Sequence, residues 1–301
     1  MDMPQISLAV DIGASSGKML LGWVEEGRLL TEEVWRFPNG AKKQGGRRCW
    51  DVDGLFDQIV RGLAHCAEIG KIPSSVGIDT WAVDFVLISR DGRRLGDAVC
   101  YRDHRTDGMD KKLLEILSEE ELYARTGIQK QIFNTIYQLL AVKEQEPELL
   151  EQAEHLLLIP DYLHYRLTGQ ICTEYTNATT TALVNAHTRD WDWELIDRLG
   201  LPRRLLCKLV QPGERLGELL PDVARRAGYS CSVVLPATHD TGSAVLAVPA
   251  QEENFLFLSS GTWSLIGMER REPDCSAQSR AANFTNEGGY GGTIRYLKNI
   301  M

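Results

Sequence analysis

The sequence predicts a mixed α/β protein whose strands form a sheet. Three observations support this fold class. Three apolar strand-like runs stand near the N-terminus, one helix-spaced segment follows them, and further strands come after it. The composition, 43% hydrophobic and 25% charged, is ordinary for a globular protein, and 301 residues are enough for two domains.

The first strands are predicted from short apolar runs. Residues 6–12 and 18–24 are two such runs, and the small residues between them suit a hairpin turn. Residues 28–37 form a third run. Residues 52–67 carry apolar side chains at a helical spacing, and Asp51 is suited to be the N-cap of that helix.

The middle of the chain changes from strands to helices. Residues 76–79 and 83–89 are predicted strands, whereas residues 108–230 have a mostly helical pattern. Ser118 with Glu121 fits a capping box, and Gly169 is a natural end for a helix that begins at Asp161.

A second strand-turn-strand unit is predicted near the C-terminus, at residues 254–259 and 263–268. A linker at residues 249–253 precedes it, so we place one domain at 1–248 and the start of a second domain at 249–301. A piece of about fifty residues with two to four strands buries little core. We therefore expect a second domain that is cut short and is partly disordered, self-associated or docked on the first domain.

The bulk properties argue against several classes of protein. A net charge of −9 disfavours a general nucleic-acid surface. Seven scattered cysteines without a Cys-x-x-Cys pair indicate reduced thiols and a cytoplasmic protein. The early strand argues against a signal peptide, and no apolar run reaches membrane-spanning length.

The turn from Gly13 to Lys18 is a candidate phosphate-binding site. Gly13 and Gly17 are expected to allow backbone conformations closed to other residues, Ser15 and Ser16 add hydroxyl groups, and successive N–H groups in such a turn bind anions. An ordinary hairpin turn is the alternative. Asp11 ends the strand before this turn, where its carboxylate could hold Mg²⁺ through water or simply cap backbone N–H groups.

Two later segments complete the pattern. Asp240 stands between a predicted strand and an apolar helix-like stretch, where a carboxylate serves either as a catalytic base or as a helix cap. The small, hydroxylated turn 259–264 includes Thr262, whose hydroxyl could donate to a phosphate oxygen. Two phosphate-binding turns and one carboxylate are typical of phosphoryl transfer to a hydroxyl group. The segments 79–84 and 101–105 could line a sugar pocket, with structural ion pairs or core packing as the alternative.

A set of motifs in a fixed order then resembles the FGGY carbohydrate kinases over nearly the whole chain. These motifs are Gly13-Ala-Ser-Ser-Gly17, Trp50-Asp-Val-Asp53, Gly77-Ile-Asp-Thr-Trp81, Tyr101-Arg-Asp103, Phe133-Asn-Thr135, Tyr175-Thr-Asn-Ala-Thr-Thr-Thr181, His239-Asp-Thr241, Ser259-Ser-Gly-Thr-Trp-Ser-Leu265, Thr285-Asn-Glu-Gly-Gly289 and Leu297-Lys-Asn-Ile-Met301.

The resemblance implies an actin-like, ribonuclease-H-like fold of two domains with the active site between them. It implies that ATP, with Mg²⁺, phosphorylates the C1 hydroxyl of L-rhamnulose to give L-rhamnulose 1-phosphate and ADP. It also implies site residues by motif. Asp240 is the expected proton acceptor, the expected sugar contacts are His239, Thr241, Asn299 and position 82, and the expected phosphate contacts are Ala14, Ser15, Ser16, Gly17, Lys18 and Thr262.

Two departures from the family pattern leave alternatives open. Ala82 stands where the family has glycine, and the Gly-rich adenosine motif that follows in the family is not present in this sequence. The alternatives are another FGGY kinase, for xylulose, fuculose or glycerol, and a non-catalytic sugar-binding fragment. We expect the 301-residue chain to be a poor kinase, and the sequence does not indicate its oligomeric state.

Overall fold

The computed structural model describes residues 5–252, 255–260 and 264–300. The helices in these ranges are α1 (Val52–Glu68), α2 (Met109–Leu114), α3 (Glu119–Thr126), α4 (Thr135–Gln145), α5 (Pro147–Gln152), α6 (Ile159–Thr168), α7 (Tyr175–Ala178), α8 (Trp193–Arg198), α9 (Pro221–Ala227), α10 (Asp240–Leu246) and α11 (Ala277–Ala281). The strands are β1 (Ser7–Ile12), β2 (Ser16–Glu25), β3 (Arg28–Pro38), β4 (Lys42–Gln44), β5 (Arg47–Trp50), β6 (Ser75–Thr80), β7 (Phe85–Ser89), β8 (Arg94–Leu95), β9 (Ala98–Val99), β10 (Ala153–Leu158), β11 (Thr173–Glu174), β12 (Val184–Asn185), β13 (Asp190–Trp191), β14 (Leu209–Val210), β15 (Arg215–Glu218), β16 (Ser232–Val234), β17 (Phe257–Ser260), β18 (Ser264–Arg270), β19 (Thr285–Gly288) and β20 (Ile294–Asn299).

A six-stranded sheet with the order β15-β16-β6-β1-β2-β3 forms the centre of the fold. β1 runs antiparallel to β2 and parallel to β6, and β6 runs parallel to β16. Alternate residues of β1 (Leu8, Val10 and Ile12) are fully buried, as expected for a strand with one face on the core. The predicted mixed α/β sheet and its first three strands are therefore confirmed.

Helix α1 covers one face of this sheet. The Asp51 carboxylate accepts a hydrogen bond from the Gly54 N–H at 2.9 Å, which confirms the predicted cap. Leu55, Ile59 and Leu63 recur at helical spacing, and all three are buried in the same core cluster as β1 and β6.

A second core lies under the helices of the middle segment. The prediction for residues 108–230 was incomplete, because β10 pairs antiparallel with β7 and forms a separate three-stranded sheet with β8. Leu156, Leu157 and Leu158 of β10 are fully buried. A short, continuously apolar run has no two-residue alternation, so its sequence cannot distinguish a buried strand from a buried helix. The predicted capping at Ser118 and the helix end at Gly169 are both confirmed.

The residues 255–300 that the structure describes, here called the C-terminal unit, form a four-stranded sheet with the order β17-β18-β20-β19. This unit docks on the rest of the chain, which was one of the three expected arrangements. The Tyr123 hydroxyl lies 2.8 Å from Ser279 Oγ and donates to the Phe284 carbonyl at 2.9 Å, and the Asn286 N–H donates to the Gly127 carbonyl at 2.9 Å. The division at residue 248 remains a prediction.

Within the described ranges, no helix combines the length and the apolar character needed to cross a bilayer.

Candidate active site

A cleft of about 530 Å³ is lined by residues of both the central sheet and the C-terminal unit. Most of the site residues predicted from the sequence lie on its wall, and these are Asp11, Ala14, Lys18, Ala82, His239, Asp240, Thr241 and Asn299. Ser15, Ser16 and Gly17 belong to the adjoining turn and strand but do not line the cleft. Thr262 lies outside the described residues.

The fold brings three carboxylates to one edge of the central sheet. Asp11 at the end of β1 lies opposite Asp79 of the parallel strand β6, and Thr80 is bridged to His239 just before Asp240. Burial, together with the negative charges of Asp11 and Asp240, raises the pKa of Asp79 well above its usual value, and Lys18 partly opposes this. Segments far apart in sequence thus bring Asp11, Asp79 and Asp240 close enough for the charges of the first and the last to act on the second.

The turn after β1 is held from outside by Asn39. The Gly13 N–H donates to the Ser16 carbonyl at 2.9 Å, and the Asn39 side chain donates to the Gly13 carbonyl at 2.8 Å. The Asn39 N–H also donates to the Ser15 carbonyl at 3.0 Å. In the described part of the chain, the N–H groups of Ala14 and Ser15 have no backbone acceptor, so they remain available for an anion. Nothing local in the sequence indicated the role of Asn39.

The expectation that Gly13 and Gly17 adopt conformations closed to other residues is wrong, because neither has a positive φ. Gly17 is an ordinary residue of β2, paired with Ile12. A Cβ at Gly17 would overlap the ring of Phe37, so glycine is required there by close packing.

Lys18 and Asp11 form an ion pair beside this turn, with Nζ 3.0 Å from Oδ2. Both side chains are partly exposed to the cleft. The pair supplies one cation for an anionic ligand and one carboxylate oxygen for a metal ion. Among the described residues there is no group of three His, Cys, Asp or Glu side chains placed to hold a metal directly.

Asp240 is the first residue of α10, with His239 at the N-cap position. Its Oδ1 accepts a hydrogen bond from the Thr241 N–H at 2.6 Å, and 38% of the side chain is exposed to the cleft. The pKa of Asp240 is raised above its usual value, chiefly by burial and also by the negative charge of Asp11. His239 and the hydrogen bonds from Thr241 lower this pKa and only partly offset the rise. A carboxylate that is exposed to the cleft and has a raised pKa is suited to accept a proton from a bound ligand.

Glu174 anchors the segment that carries this carboxylate. The Glu174 side chain is fully buried and accepts hydrogen bonds from the N–H and the hydroxyl of Thr238, at 3.0 and 2.8 Å. It also accepts from the N–H and the hydroxyl of Thr176, at 2.8 and 2.6 Å. Glu174 therefore fixes the backbone directly before His239, a role that sequence reasoning missed.

The wall around Ala82 contains a strained turn. The Asp84 N–H donates to the Ala82 carbonyl at 2.9 Å, which makes a γ-turn with Val83 at its centre and a φ of +67°. A β-branched residue is unfavourable in this conformation, and such strain clusters at functional sites. The Thr135 hydroxyl donates to the Val83 carbonyl at 2.7 Å and helps to hold the turn.

The Asp84 carboxylate below this turn is structural. It accepts hydrogen bonds from the indole N–H groups of Trp50 and Trp81, the side-chain amide of Gln138 and the N–H of Tyr101, at 2.6 to 3.1 Å. Trp81, Val83 and Tyr101 themselves line the cleft. Both interpretations of segment 79–84 therefore apply, the structural one to Asp84 and the pocket-lining one to its neighbours.

The C-terminal unit supplies the opposite wall. Ser259 and Ser260 of β17 and Asn299 of β20 line the cleft, and Ser260 Oγ lies 3.2 Å from Ser264 Oγ across the hairpin. Glu287 also lines it, and this residue was not predicted. It belongs to the motif Thr285-Asn-Glu-Gly-Gly289, which was recognised in the sequence without a site role being assigned to this residue.

In this arrangement the Asp240 carboxylate can accept a proton from a bound hydroxyl, while backbone N–H groups of the first turn and Lys18 are available to an anion.

The sequence pattern described as the FGGY family of carbohydrate kinases, N-terminal domain, matches residues 6–247. The chain is 50% identical to a rhamnulokinase of Oceanobacillus iheyensis over 99% of its own length, and 51% identical to one of Halalkalibacterium halodurans over 98%. It spans 63% of the length of each of these proteins.

Solved structures show the same fold. A gluconate kinase from Lactobacillus acidophilus superimposes with a TM-score of 0.86 at 20% identity, covering 99% of this chain and 60% of that one. A Plasmodium falciparum glycerol kinase with ADP superimposes with a TM-score of 0.83 at 14% identity, covering 99% and 61%. The predicted actin-like α/β fold is confirmed, and the chain belongs to the FGGY family of carbohydrate kinases.

Proposed function

We propose that the protein transfers the γ-phosphoryl group of ATP to the C1 hydroxyl of L-rhamnulose, giving L-rhamnulose 1-phosphate and ADP. The identity of about 50% to two rhamnulokinases supports the choice of sugar. The observation that carries the reaction type is the placement of Asp240, an accessible carboxylate with a raised pKa in the same cleft as Ala14 and Lys18 of the first turn.

Asp240 acts as the general base. Its carboxylate takes the proton of the sugar hydroxyl while that oxygen forms a bond to the γ-phosphorus, and the bond between that phosphorus and the bridging oxygen to ADP breaks. ADP leaves with the electron pair of the broken bond. The raised pKa brings the carboxylate closer to the working pH, which favours proton transfer in the transition state.

The nucleotide phosphates bind at the turn of residues 14–18. The N–H groups of Ala14 and Ser15 and the ammonium of Lys18 face the anion there, and Thr262 is proposed for the second turn. Asp11 fits a magnesium ion held through water, because it presents a partly exposed carboxylate oxygen at the cleft, the donor type that Mg²⁺ prefers. When bound, Mg²⁺ neutralises phosphate charge.

The sugar binds against the other side of Asp240. His239 at the N-cap and Thr241 in the first turn of α10 flank the base, Ala82 lies on the neighbouring wall beside the strained turn, and Asn299 lines the cleft from β20. Trp81, Val83 and Tyr101 add apolar surface beside these polar groups. Closure over the sugar would exclude water and so limit hydrolysis of ATP.

A panel of ketoses and polyols with ATP tests the proposal. L-rhamnulose, L-fuculose, D-xylulose and glycerol are compared on the 301-residue chain and on a version extended to the length of its relatives. ADP release measures turnover, and calorimetry measures sugar binding. The proposal expects the highest kcat/KM for L-rhamnulose in the extended version. Preference for another substrate identifies a different FGGY kinase, and sugar binding without turnover in both versions identifies a binding protein.

A further inference from the structure

A buried arginine of the C-terminal unit contacts the histidine next to the proposed base. Arg295 of β20 is 0% exposed, and its Nη2 lies 3.1 Å from Nδ1 of His239, which is 56 residues earlier in the chain. The Nε2 atom of the same imidazole lies 3.4 Å from Oδ1 of Asp240. The imidazole of His239 thus lies between Arg295 and the base.

The contact bears on which ring nitrogen carries the proton. A guanidinium has only donor groups, so a hydrogen bond from Arg295 requires a lone pair on Nδ1. The neutral ring then carries its proton on Nε2, the nitrogen that faces Asp240. In this tautomer His239 can donate to the carboxylate or to a hydroxyl of a ligand beside it.

Arg295 is itself held in a defined position. Its Nε donates to the Gly288 carbonyl at 2.8 Å, and its Nη1 lies 3.2 Å from Oε2 of Glu287, a close contact of opposite charges. Glu287 Oε2 also lies 3.3 Å from Nδ1 of His239. Burial alone would raise the pKa of Glu287, but the positive charge of Arg295 and the contact with His239 lower it, so it stays charged and balances the arginine.

We propose that Arg295, with Glu287 as its counter-ion, is a positioning residue that holds His239 in the Nε2–H tautomer and so orients the groups around Asp240. The proposal rests on the proposed function in assigning Asp240 as the base. The atomic contacts that bear on the tautomer do not depend on that function.

The geometry also predicts what happens without the guanidinium. Glu287 is an acceptor at nearly the same distance from Nδ1 as Arg295. Once the competing donor is removed, the Glu287 carboxylate is expected to draw the proton to Nδ1. Nε2 would then face Asp240 with a lone pair, and the two groups would repel each other.

Long-range ¹H–¹⁵N spectra of the histidine side chains in the 301-residue chain test this directly. The His239→Gln variant assigns the His239 signals. We expect the unprotonated nitrogen of neutral His239 to be Nδ1 in the wild type. Arg295→Met, which has no donor group, should move the proton to Nδ1, whereas Arg295→Lys, which keeps a donor, should retain it on Nε2. An Nδ1–H tautomer in the wild type, or an unchanged tautomer in a folded Arg295→Met, overturns the proposal.

Two further variants separate this effect from general disruption. Glu287→Gln should leave the Nε2–H tautomer in place, since Arg295 remains. Arg270→Gln removes an arginine of the same sheet that pairs with Asp274 and lies over the Tyr296 ring, and it should leave the His239 signals unchanged. Backbone amide spectra establish that each variant is folded.

Calorimetry with L-rhamnulose separates the proposal from the proposed function. In a chain that binds the sugar, Arg295→Met should weaken the affinity about tenfold, the effect of losing one well-aligned hydrogen bond. Wild-type affinity in a variant whose tautomer has changed contradicts the positioning role. Failure of the wild type to bind any ketose contradicts the proposed function, and the spectra still decide the tautomer.

Discussion

At the scale of single residues, the site depends on a few side chains in unusual surroundings. Asp240 is accessible although burial, with a smaller contribution from Asp11, raises its pKa, and a Cβ at Gly17 would overlap the Phe37 ring. The first residue is proposed for the chemistry, and the second governs packing beside the turn that follows β1. Substitutions at the two sites should therefore change different measurements.

Asp240→Asn should lower kcat by a factor of about 10² to 10⁴, the usual contribution of a general base. Affinity for L-rhamnulose should largely persist, because the amide occupies the same volume. Initial rates and calorimetry on whichever version turns over in the ketose panel measure both effects. Asp107→Asn, at an exposed site, serves as the control, and a kcat above about a tenth of the wild-type value would contradict the role of Asp240.

Gly17→Val should destabilise the fold, because the new side chain displaces the buried Phe37 ring. Forcing extra atoms into a packed core costs about 1–3 kcal/mol, which urea denaturation can measure. Gly13→Ala is the matched control in the same turn. Its Cβ would lie 3.6 Å from the Ser16 carbonyl oxygen, an ordinary contact. Equal stability of the two variants would refute the packing explanation.

At the scale of elements, the turn between β6 and β7 combines strain with a buried charge. Val83 is held at a positive φ, and Asp84 beside it gathers donors from β5, α4 and the segment after β9. Burial is the main cause that raises the pKa of Asp84 to about 6, while these donors oppose it. This turn therefore gives the stability of the protein a definite dependence on pH.

The contribution of Asp84 to stability should fall as the pH rises from about 4 to about 6. Between these values the folded protein keeps a proton that the unfolded chain has lost, so raising the pH favours unfolding, by about 3 kcal/mol over the window. Urea denaturation of the wild type and Asp84→Asn at several pH values measures this difference in slope. Asp222→Asn, on the exposed first turn of α9, is the control, and its free energy of unfolding should depend on pH as that of the wild type does. The same dependence on pH in Asp84→Asn would contradict the argument.

The elements differ in how far their sequence could predict them. The strands of the first hairpin were predictable, because alternating burial leaves a pattern within six to ten residues, as in β1 and β2. β10 was not, because its buried leucines are consecutive. The roles of Asn39, Glu174 and Arg295 depend on partners that lie 24 to 64 residues away, and no local pattern records such contacts.

At the scale of the whole molecule, a polar interface joins the C-terminal unit to the rest of the chain. Asn286 is 2% exposed, donates twice to the Gly127 carbonyl, and accepts from the Asp274 N–H at 2.7 Å. On the other side of the unit, Leu256, directly before β17, and Leu258 of β17 are largely exposed, at 72% and 63%. The position of the unit is therefore fixed by these directional bonds together with a small apolar cluster, in which Val245 of α10 packs with Phe257 and Leu297.

Asn286→Ala should loosen the C-terminal unit without unfolding the central sheet. Loss of buried hydrogen bonds costs about 1–3 kcal/mol, so amides of β18–β20 should exchange with solvent about tenfold faster or more. Hydrogen exchange read by mass spectrometry measures this locally. Gln278→Ala, on the exposed face of α11, should leave exchange unchanged, and uniform acceleration across β1 and β6 would show global destabilisation instead.

The contact between His239 and Arg295 also affects when the site can be completed during protein synthesis. A ribosome adds about 5–20 residues per second, so roughly 3–11 s pass between the synthesis of His239 and that of Arg295. Every strand of the central sheet is already made when that interval begins. The nascent chain thus carries Asp240, the proposed base, before it carries the guanidinium proposed to orient the neighbouring imidazole, and biosynthesis itself delays completion of the site until the C-terminal unit has emerged.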